Sequence, residues 1–546
     1  MKSTSSSFTV GVLTYLLAAL CSFEVVAQDV DLLSRRLGTE SNPQTVSSNS
    51  PDQQIVSQSE ESAPGTASIV GDSLGSPTRL GPGEHAILGS GVRPQQLTGS
   101  KRSTFKVLRY DEDYSHLCDP CEWTHWWDPI KYIPLDTHPD HYLSLGGESR
   151  ERIEIFHNPG FGAAPANSQG DNYYFTQRYM LHADLHLGQH LRFFTQTVSG
   201  LEDGAIGGPR PEIDVNDFGF HQAFVDLVQS DGNGESDSTT WRIGRQEMNY
   251  GSGRLIDVRE GVNLRQSFDA VRFLARKNEW AVDGFWSRPV LNRPEAFEDI
   301  PDPQRSLWGL YAVHPLELLP DGHADLYYLG YTNGQAQFNQ GAGNELRHTV
   351  GTRLWGAPMP VEYNIESMFQ FGQYGSGSIQ AWSIASAARY NFSYRPLKPR
   401  VGLRADIASG DRNANSSNLQ SFNPLFPSGA YFNLANPVGP INMIDLHPTL
   451  DLTLSEKLSL SADWTFFWRE SLGDGVYSLS GRLLRPAGSD LSRYIGSTPS
   501  LTMVWAASQH VTLLTSYVHV FPGPFIKESP PSLSSDYFTA WVTYKF

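Results

Sequence analysis

The chain closes on "DYFTAWVTYKF" (536–546), and the reading of this stretch decides the fold. Phe538, Ala540, Val542, Tyr544 and Phe546 share one parity, and Tyr537, Thr539, Trp541, Thr543 and Lys545 share the other. Successive side chains of a strand point to opposite faces, so one face is apolar and the other is mostly polar. A soluble sandwich edge can carry such a pattern. A final strand with an apolar face and an aromatic last residue suits a closed membrane barrel better.

The same alternation recurs upstream. In "LSLGGESRERIEI" (143–155) Leu143, Leu145, Ile153 and Ile155 oppose Glu148, Arg150, Arg152 and Glu154. In "RYMLHADLHLG" (178–188) Tyr179, Leu181, Ala183, Leu185 and Leu187 oppose Arg178, Met180, His182, Asp184 and His186. "VGLRADI" (401–407) and "LSLSADWTFFW" (458–468) repeat it. Short turns are expected at Gly188-Gln189, Lys277-Asn278 and Ser455-Glu456-Lys457, and long polar loops at 201–217, 409–442 and 470–495. One quiet rim and one elaborate rim, with about eighteen strands between 141 and 546, describe an all-β transmembrane antiparallel barrel. A soluble sandwich or propeller would show Lys and Glu on the outward rows and, for a propeller, a blade-length repeat.

Composition agrees. A net charge of −17 argues against a nucleic-acid partner. The mean hydropathy of −0.35 looks soluble, but in a barrel strand the polar lumen face cancels the lipid face. Residues 1–27 read as a signal peptide, with Lys2, the apolar core "FTVGVLTYLLAAL" and "VVA" before Gln28. Residues 28–103, rich in Ser, Gln, Pro and Gly, read as a disordered leader. Residues 104–140 form a periplasmic N-terminal segment, and 141–546 the barrel. Outer-membrane lipid is the expected surrounding.

Two local clusters invite chemistry. Cys118 and Cys121, with His116 and His125, lack a second ligand pair at zinc spacing, and a local disulfide across the Asp119-Pro120 turn is the better expectation. His182, Asp184 and His186 form the one catalytic-looking row, without an evident nucleophile, so no enzyme activity is expected. The acidic "SGLEDGAIGGPRPEIDVND" lacks calcium-loop spacing and reads as a solvated loop. No cofactor and no metal are expected.

Several stretches resemble the alginate-export family of outer-membrane barrels, in order from about 104 to 546. They include "WWDPIKYIPL" (126–135), "LGGESRERIE" (145–154), "QRYMLHADLHLG" (177–188), "GRQEMNYGSGRLIDVREGVNLRQSFDAVR" (244–272), "ADIASGD" (405–411) and "FNPLFPSGAYF" (422–432). The resemblance implies an eighteen-stranded barrel exporting an anionic polysaccharide through an arginine-lined constriction. From the pattern of the last strand itself, Phe546 closes that strand and resembles the C-terminal signal read by the barrel assembly machinery. Arg suits a polyuronate because it stays charged and offers a planar fork to carboxylates.

Alternation then places Arg150, Arg152, Arg178, Arg272, Arg353, Arg404 and Arg469 in the lumen, together with Glu148, Glu154, Asp184, Asp226, Asp283, Glu366, Asp406 and Asp463. Such a mixed lumen also suits a general porin for small polar solutes. A purely structural role competes for each Arg, as an ion-pair ladder bracing the wall. The segment 242–265, with Arg242, Arg245, Arg254, Arg259 and Arg265 among glycines, is where arginines free of acids are expected. Arg245 has lipid-facing parity, and a bulge at Gly244 is expected to turn it inward.

Overall fold

The period-two alternation is realised as long, steeply paired strands. In the computed structural model, which describes residues 105–163, 171–230, 237–488 and 491–546, eighteen of them form one closed antiparallel barrel. The signal peptide at 1–27 and the leader at 28–103 lie outside the described residues. In chain order the strands are β1 His141–His157, β2 Asp171–Leu187, β3 Leu191–Asp203, β4 Asn216–Ser230, β5 Ser238–Gln246 and β6 Phe268–Lys277. They continue as β7 Trp280–Leu291, β8 Arg305–Pro315, β9 Gly322–Phe338, β10 Gly341–Gly356, β11 Val361–Tyr374 and β12 Gly377–Asn391. The last six are β13 Arg400–Ala408, β14 Met443–Thr453, β15 Leu458–Trp468, β16 Tyr494–Ala506, β17 Val511–Pro522 and β18 Ser535–Lys545. Each pairs with its chain neighbours, and β18 closes on β1 in the register Glu148↔Lys545 to His157↔Asp536. Closure removes every free edge, which is the condition for strands to cross hydrocarbon.

The turns expected from sequence join β2 to β3, β6 to β7 and β14 to β15 on one rim. At the second of these, Asn278 and Glu279 both have positive φ, 49° and 70°, the geometry that lets a two-residue turn follow strand twist. The other rim carries the connections 204–215, 247–267, 409–442 and 469–493.

Outward rows carry large apolar side chains open to the exterior, among them Leu181, Trp241, Trp286, Leu326, Phe369 and Trp464. In water such a continuous surface would be an aggregation site, whereas against lipid it is the stable face. Gly244 departs from expectation. Its φ is +134°, yet the pairing runs unbroken through Phe224↔Gly244 and Ala223↔Arg245. Without a bulge the parity holds, and Arg245 stands on the outer row with Trp241 and Ile243, bonded to Asp269 at 2.8 Å.

Among the described residues, two long connections fold into the interior. The connection 247–267 folds inward and zips to the connection 409–442, through Asp257 N to Phe426 O, Phe426 N to Leu255 O and Ser428 N to Gly253 O, each 2.9 Å. Their apolar side chains, Met248, Leu255, Ile256, Phe422 and Phe426, join wall residues such as Phe285 and Tyr311 in one buried cluster. Gly251 and Gly253 take φ of +56° and +74° to make the inward turn, a conformation that side chains with a Cβ resist.

The N-terminal segment also does more than sit beside the barrel. Residues 105–111 enter it: Leu108 and Tyr110 pack on Phe194, Phe224 and Val258, and the Tyr110 hydroxyl donates to Glu247 O at 2.9 Å. The remainder runs along the short-turn rim, through the single helical turn α1 Asp128–Lys131 and the two-residue strand Ile133–Pro134, which pairs with Leu143 and Tyr142 of β1. Cys118 and Cys121 are exposed free thiols, contrary to the expected disulfide. They fall in two successive 3-10 turns, Ser115–Cys118 and Pro120–Glu122, and Asp119 accepts from Cys121 N at 2.9 Å across the junction.

Candidate functional site

The site is the lumen where the inward connection 247–267 crosses it. Alternation brings an arginine row of β1 and β2 to face this connection, and the arginines grip its backbone. Arg150 donates to the carbonyls of Glu260 (2.9 Å) and Val262 (2.5 Å), and Arg152 donates to Gly261 O (2.5 Å). Arg178 bonds Glu148 on its own wall and the Glu260 carboxylate at 2.6 Å. Burial opposes the charge on Glu260, but Arg178 and Arg265 outweigh it and hold the carboxyl below the usual carboxylate range. Toward the opposite wall, Ser252 donates to Glu366, and Arg254 reaches Asp406 at 3.4 Å and Glu366 at 4.0 Å. The connection is therefore tied at both sides of the barrel.

The arginines of 242–265 mostly hold acids, against expectation. Arg242 is bidentate to Asp226 (2.7 and 2.8 Å), Arg265 binds Glu247 (2.7 Å) and Glu260 (3.1 Å), and Arg245 is outside with Asp269. Arg259 differs. Its side chain donates to Pro427 O at 3.3 Å, and no carboxylate lies within ion-pair distance among the described residues. Burial, with Arg305 nearby, lowers its pKa to about 10, so it remains a cation at neutral pH. Its own φ of +57° is rare for a side chain of this size.

Elsewhere on the wall the ladder form prevails. Arg272 bonds Asp283, Arg353 bonds Asp325 at 2.9 Å, and Arg404 donates to Tyr431 O at 3.2 Å with Asp406 at 3.9 Å. Arg469 is caged by carbonyls of its own connection, including Leu491 O (2.6 Å) and Ser492 O (2.9 Å). Asp325↔Arg353 and Asp226↔Arg242 meet directly across the ladder as opposite charges, whereas Arg150↔Arg178 and Arg242↔Arg272 meet as like charges and draw their acids from diagonal positions or from the connections.

Sequence reasoning missed several participants, Arg192 among them. Arg347 is fully buried, bonded to Glu345, Gln370 and Ser421 O, and it shares the parity of Arg353 from which it could have been found. Asp325 faces inward on β9 beside Tyr327. Arg210 reaches back from the connection 204–215 to Glu154 (3.0 Å) and Asp214 (2.8 Å), so Asp214 is buried and this acidic stretch is not simply solvated. In the His182–Asp184–His186 row, Asp184 is held by Arg192 at 2.7 and 2.6 Å, with His186 at 3.2 Å.

At the short-turn mouth, between residues 106–111 and the strands β2 to β6, lies a cavity of about 500 Å³. Lys106, Arg192, Arg242, Arg272 and Arg276 line it, against Asp111 and Asp226. Five cations thus face two acids in the lining, and three of the five, Arg192, Arg242 and Arg272, hold Asp184, Asp226 and Asp283.

The family model described as "Alginate export" matches residues 141–540. No curated protein matches the chain. Among solved structures, a BenF-like porin from Pseudomonas fluorescens Pf-5 is similar at 9% identity over 74% of this chain and 98% of that one, with a TM-score of 0.50. OccAB3 of Acinetobacter baumannii is similar at 9% identity over 74% and 99%, also at 0.50. OccK11 (OpdR) of Pseudomonas aeruginosa stands at 13% identity over 76% and 98%, with a TM-score of 0.47. At these identities the first two show a shared barrel fold.

Proposed function

Because the chain belongs to the alginate export family, we propose that this outer-membrane channel exports an anionic, alginate-like polysaccharide through its charged lumen. Family membership across 141–540 is the observation that carries the reading. Two features of the geometry support it. The mouth on the short-turn rim, the periplasmic rim of such barrels, is lined mainly by cations, which suits capture of a carboxylate-bearing chain. Further in, Arg259 is a cation with no carboxylate within ion-pair distance among the described residues, so a uronate meets it without displacing any of these acids. The paired arginines act mainly by holding the wall and the inward connection in place. Passage then requires the connections 247–267 and 409–442 to yield.

The same placement supports a transport role rather than catalysis. Arg192 engages Asp184, so that carboxylate is not available to orient His182 as a base. Phe546, one residue past β18 and in the parity of its outward row, is proposed as the contact for the assembly machinery.

Single-channel recording in planar bilayers tests the transport reading. Polyuronate should block the current, Arg259→Gln should relieve the block, and Arg245→Ala, on the lipid face, should leave it intact. Cation-selective current indifferent to polyuronate would sink the polysaccharide reading and leave a general porin. That outcome would leave the mixed Arg–acid wall as its sole support.

A further inference from the structure

The N-terminal segment leaves large aromatics bare at one place, and that place continues the lipid-facing wall. At the barrel seam the Phe546 backbone exchanges hydrogen bonds with Gly147, at 2.9 and 3.0 Å. A Cβ on Gly147 would lie 2.8 Å from both the Phe546 ring and the Leu181 side chain, so these two groups flank the glycine on the outer face. Leu181 is 59% exposed on that face. Trp127 stacks on Phe546 with centroids 4.2 Å apart, and its indole N–H donates to the hydroxyl of Tyr544, on the same outer row, at 2.6 Å. Trp126 lies on Trp127 at 3.8 Å and is 69% exposed. Trp123 and Leu135, on either side of α1 in the chain, are exposed as well.

The apolar face of the wall thus runs without a break from Leu181 through Phe546 and Trp127 to Trp126, past the end of the last strand. The fold holds this projection rigidly. The Asp128 carboxylate accepts from the backbone N–H groups of Thr124 (2.6 Å) and His125 (2.7 Å), which fixes the turn bearing both tryptophans. Arg109 donates from within to the carbonyls of Gly147 (3.1 Å) and Phe546 (2.9 Å), which ties the segment to the seam. A solvated segment has no reason to stack an indole there and leave it bare. Indoles favour the headgroup level of a bilayer, where an apolar ring meets water at one edge.

We propose that residues 123–135 are a membrane-interface anchor, seating Trp126 in the headgroup region of the periplasmic leaflet. The occupant is phospholipid, because the patch is continuous with the lipid-facing row of β18 and not with the lumen. This rests on the barrel's lying in a membrane, and not on what the channel carries.

The test uses the full chain reconstituted in liposomes, with the other cysteines replaced by serine and a single environment-sensitive label on Trp126→Cys. Labels on Leu181→Cys and Asp119→Cys mark the wall and an exposed aqueous position. Phospholipids brominated near the headgroup should quench the label at 126, its emission should be blue-shifted relative to 119, and iodide should reach it less than 119. Heat-modifiable gel mobility checks that each variant is folded. If 181 is quenched by lipid while 126 behaves as 119 does, the anchor is wrong and the membrane barrel stands. Failure at 181 as well would overturn both. A label at 126 shielded from iodide but blind to brominated lipid would indicate a protein partner or a second copy, and would also overturn the proposal.

Discussion

Arg150→Ala probes how the inward connection is held. Among the described residues, no acid of its own wall lies within ion-pair reach of Arg150. Its contacts are the carbonyls of Glu260 and Val262, the Glu260 carboxylate at 3.8 Å, and the Trp541 ring at 5.7 Å. Charge-assisted hydrogen bonds contribute about 1.5–3 kcal/mol each, and the two carbonyls lose that donor together. Partial replacement by water leaves a net loss of about 3 kcal/mol, which is roughly a hundredfold in the closed-to-open ratio of residues 258–264. Two amides report it directly: Leu264 N–H donates to Ile213 O at 2.8 Å and Val262 N–H to Arg259 O at 3.2 Å. Their hydrogen exchange should accelerate by about that factor, while strand amides of β1 stay protected. In planar bilayers the variant should open more often than the parent. Arg150→Lys, which keeps the charge but loses the fork, should fall between the two. Unchanged exchange at Val262 and Leu264 together with unchanged opening would refute the reasoning, and would assign the anchoring to the 253–257/426–428 zip alone.

Two further outcomes follow from local geometry. Gly253→Ala places a Cβ 2.4 Å from Asp257 Oδ2 at a φ of +74°, and should destabilise the inward turn by about 1–2 kcal/mol. Faster exchange of Asp257 and Ser428 amides, with the heat-modifiable transition of the barrel unchanged, is the expected reading; identical exchange would count against it. Lys131 is buried against Phe105, Tyr114 and Phe546, and burial, helped by Arg109, pushes it from 10.5 down to about 7, with Glu112 and Asp128 opposing. Its folded pKa is below its unfolded value, so the undocked chain binds more protons between pH 7 and 10.5 and docking strengthens across that window. Protection of the 105–131 segment from proteolysis should rise from pH 7 to 9.5, and Lys131→Met should flatten that rise; a profile indifferent to the substitution would contradict it.

The alternation of Phe538 to Phe546, repeated in 143–155, 178–188, 401–407 and 458–468, was enough to determine a barrel, its two rims and which side of these strands meets lipid. Side-chain direction in a strand is a local property of period two, so it can be read from neighbours alone. The same parity correctly marked Arg245 as outward, and the bulge invoked to turn it inward has no counterpart in the pairing of β5. A glycine permits an unusual φ without requiring an extra residue in the ladder. What the arginines hold was decided only by the tertiary structure. Arg150 and Glu260 are separated by 110 residues, Arg254 and Asp406 by 152, and Arg109 and Phe546 by 437. Whether a guanidinium faces a carboxylate, a carbonyl or neither depends on how the irregular connections 247–267 and 409–442 fold back into the barrel. Such connections have no period to read, and each lies where packing against all the others puts it. That is why Arg265 proved to be paired while Arg259, six residues before it in the same run, has no acid within ion-pair distance among the described residues.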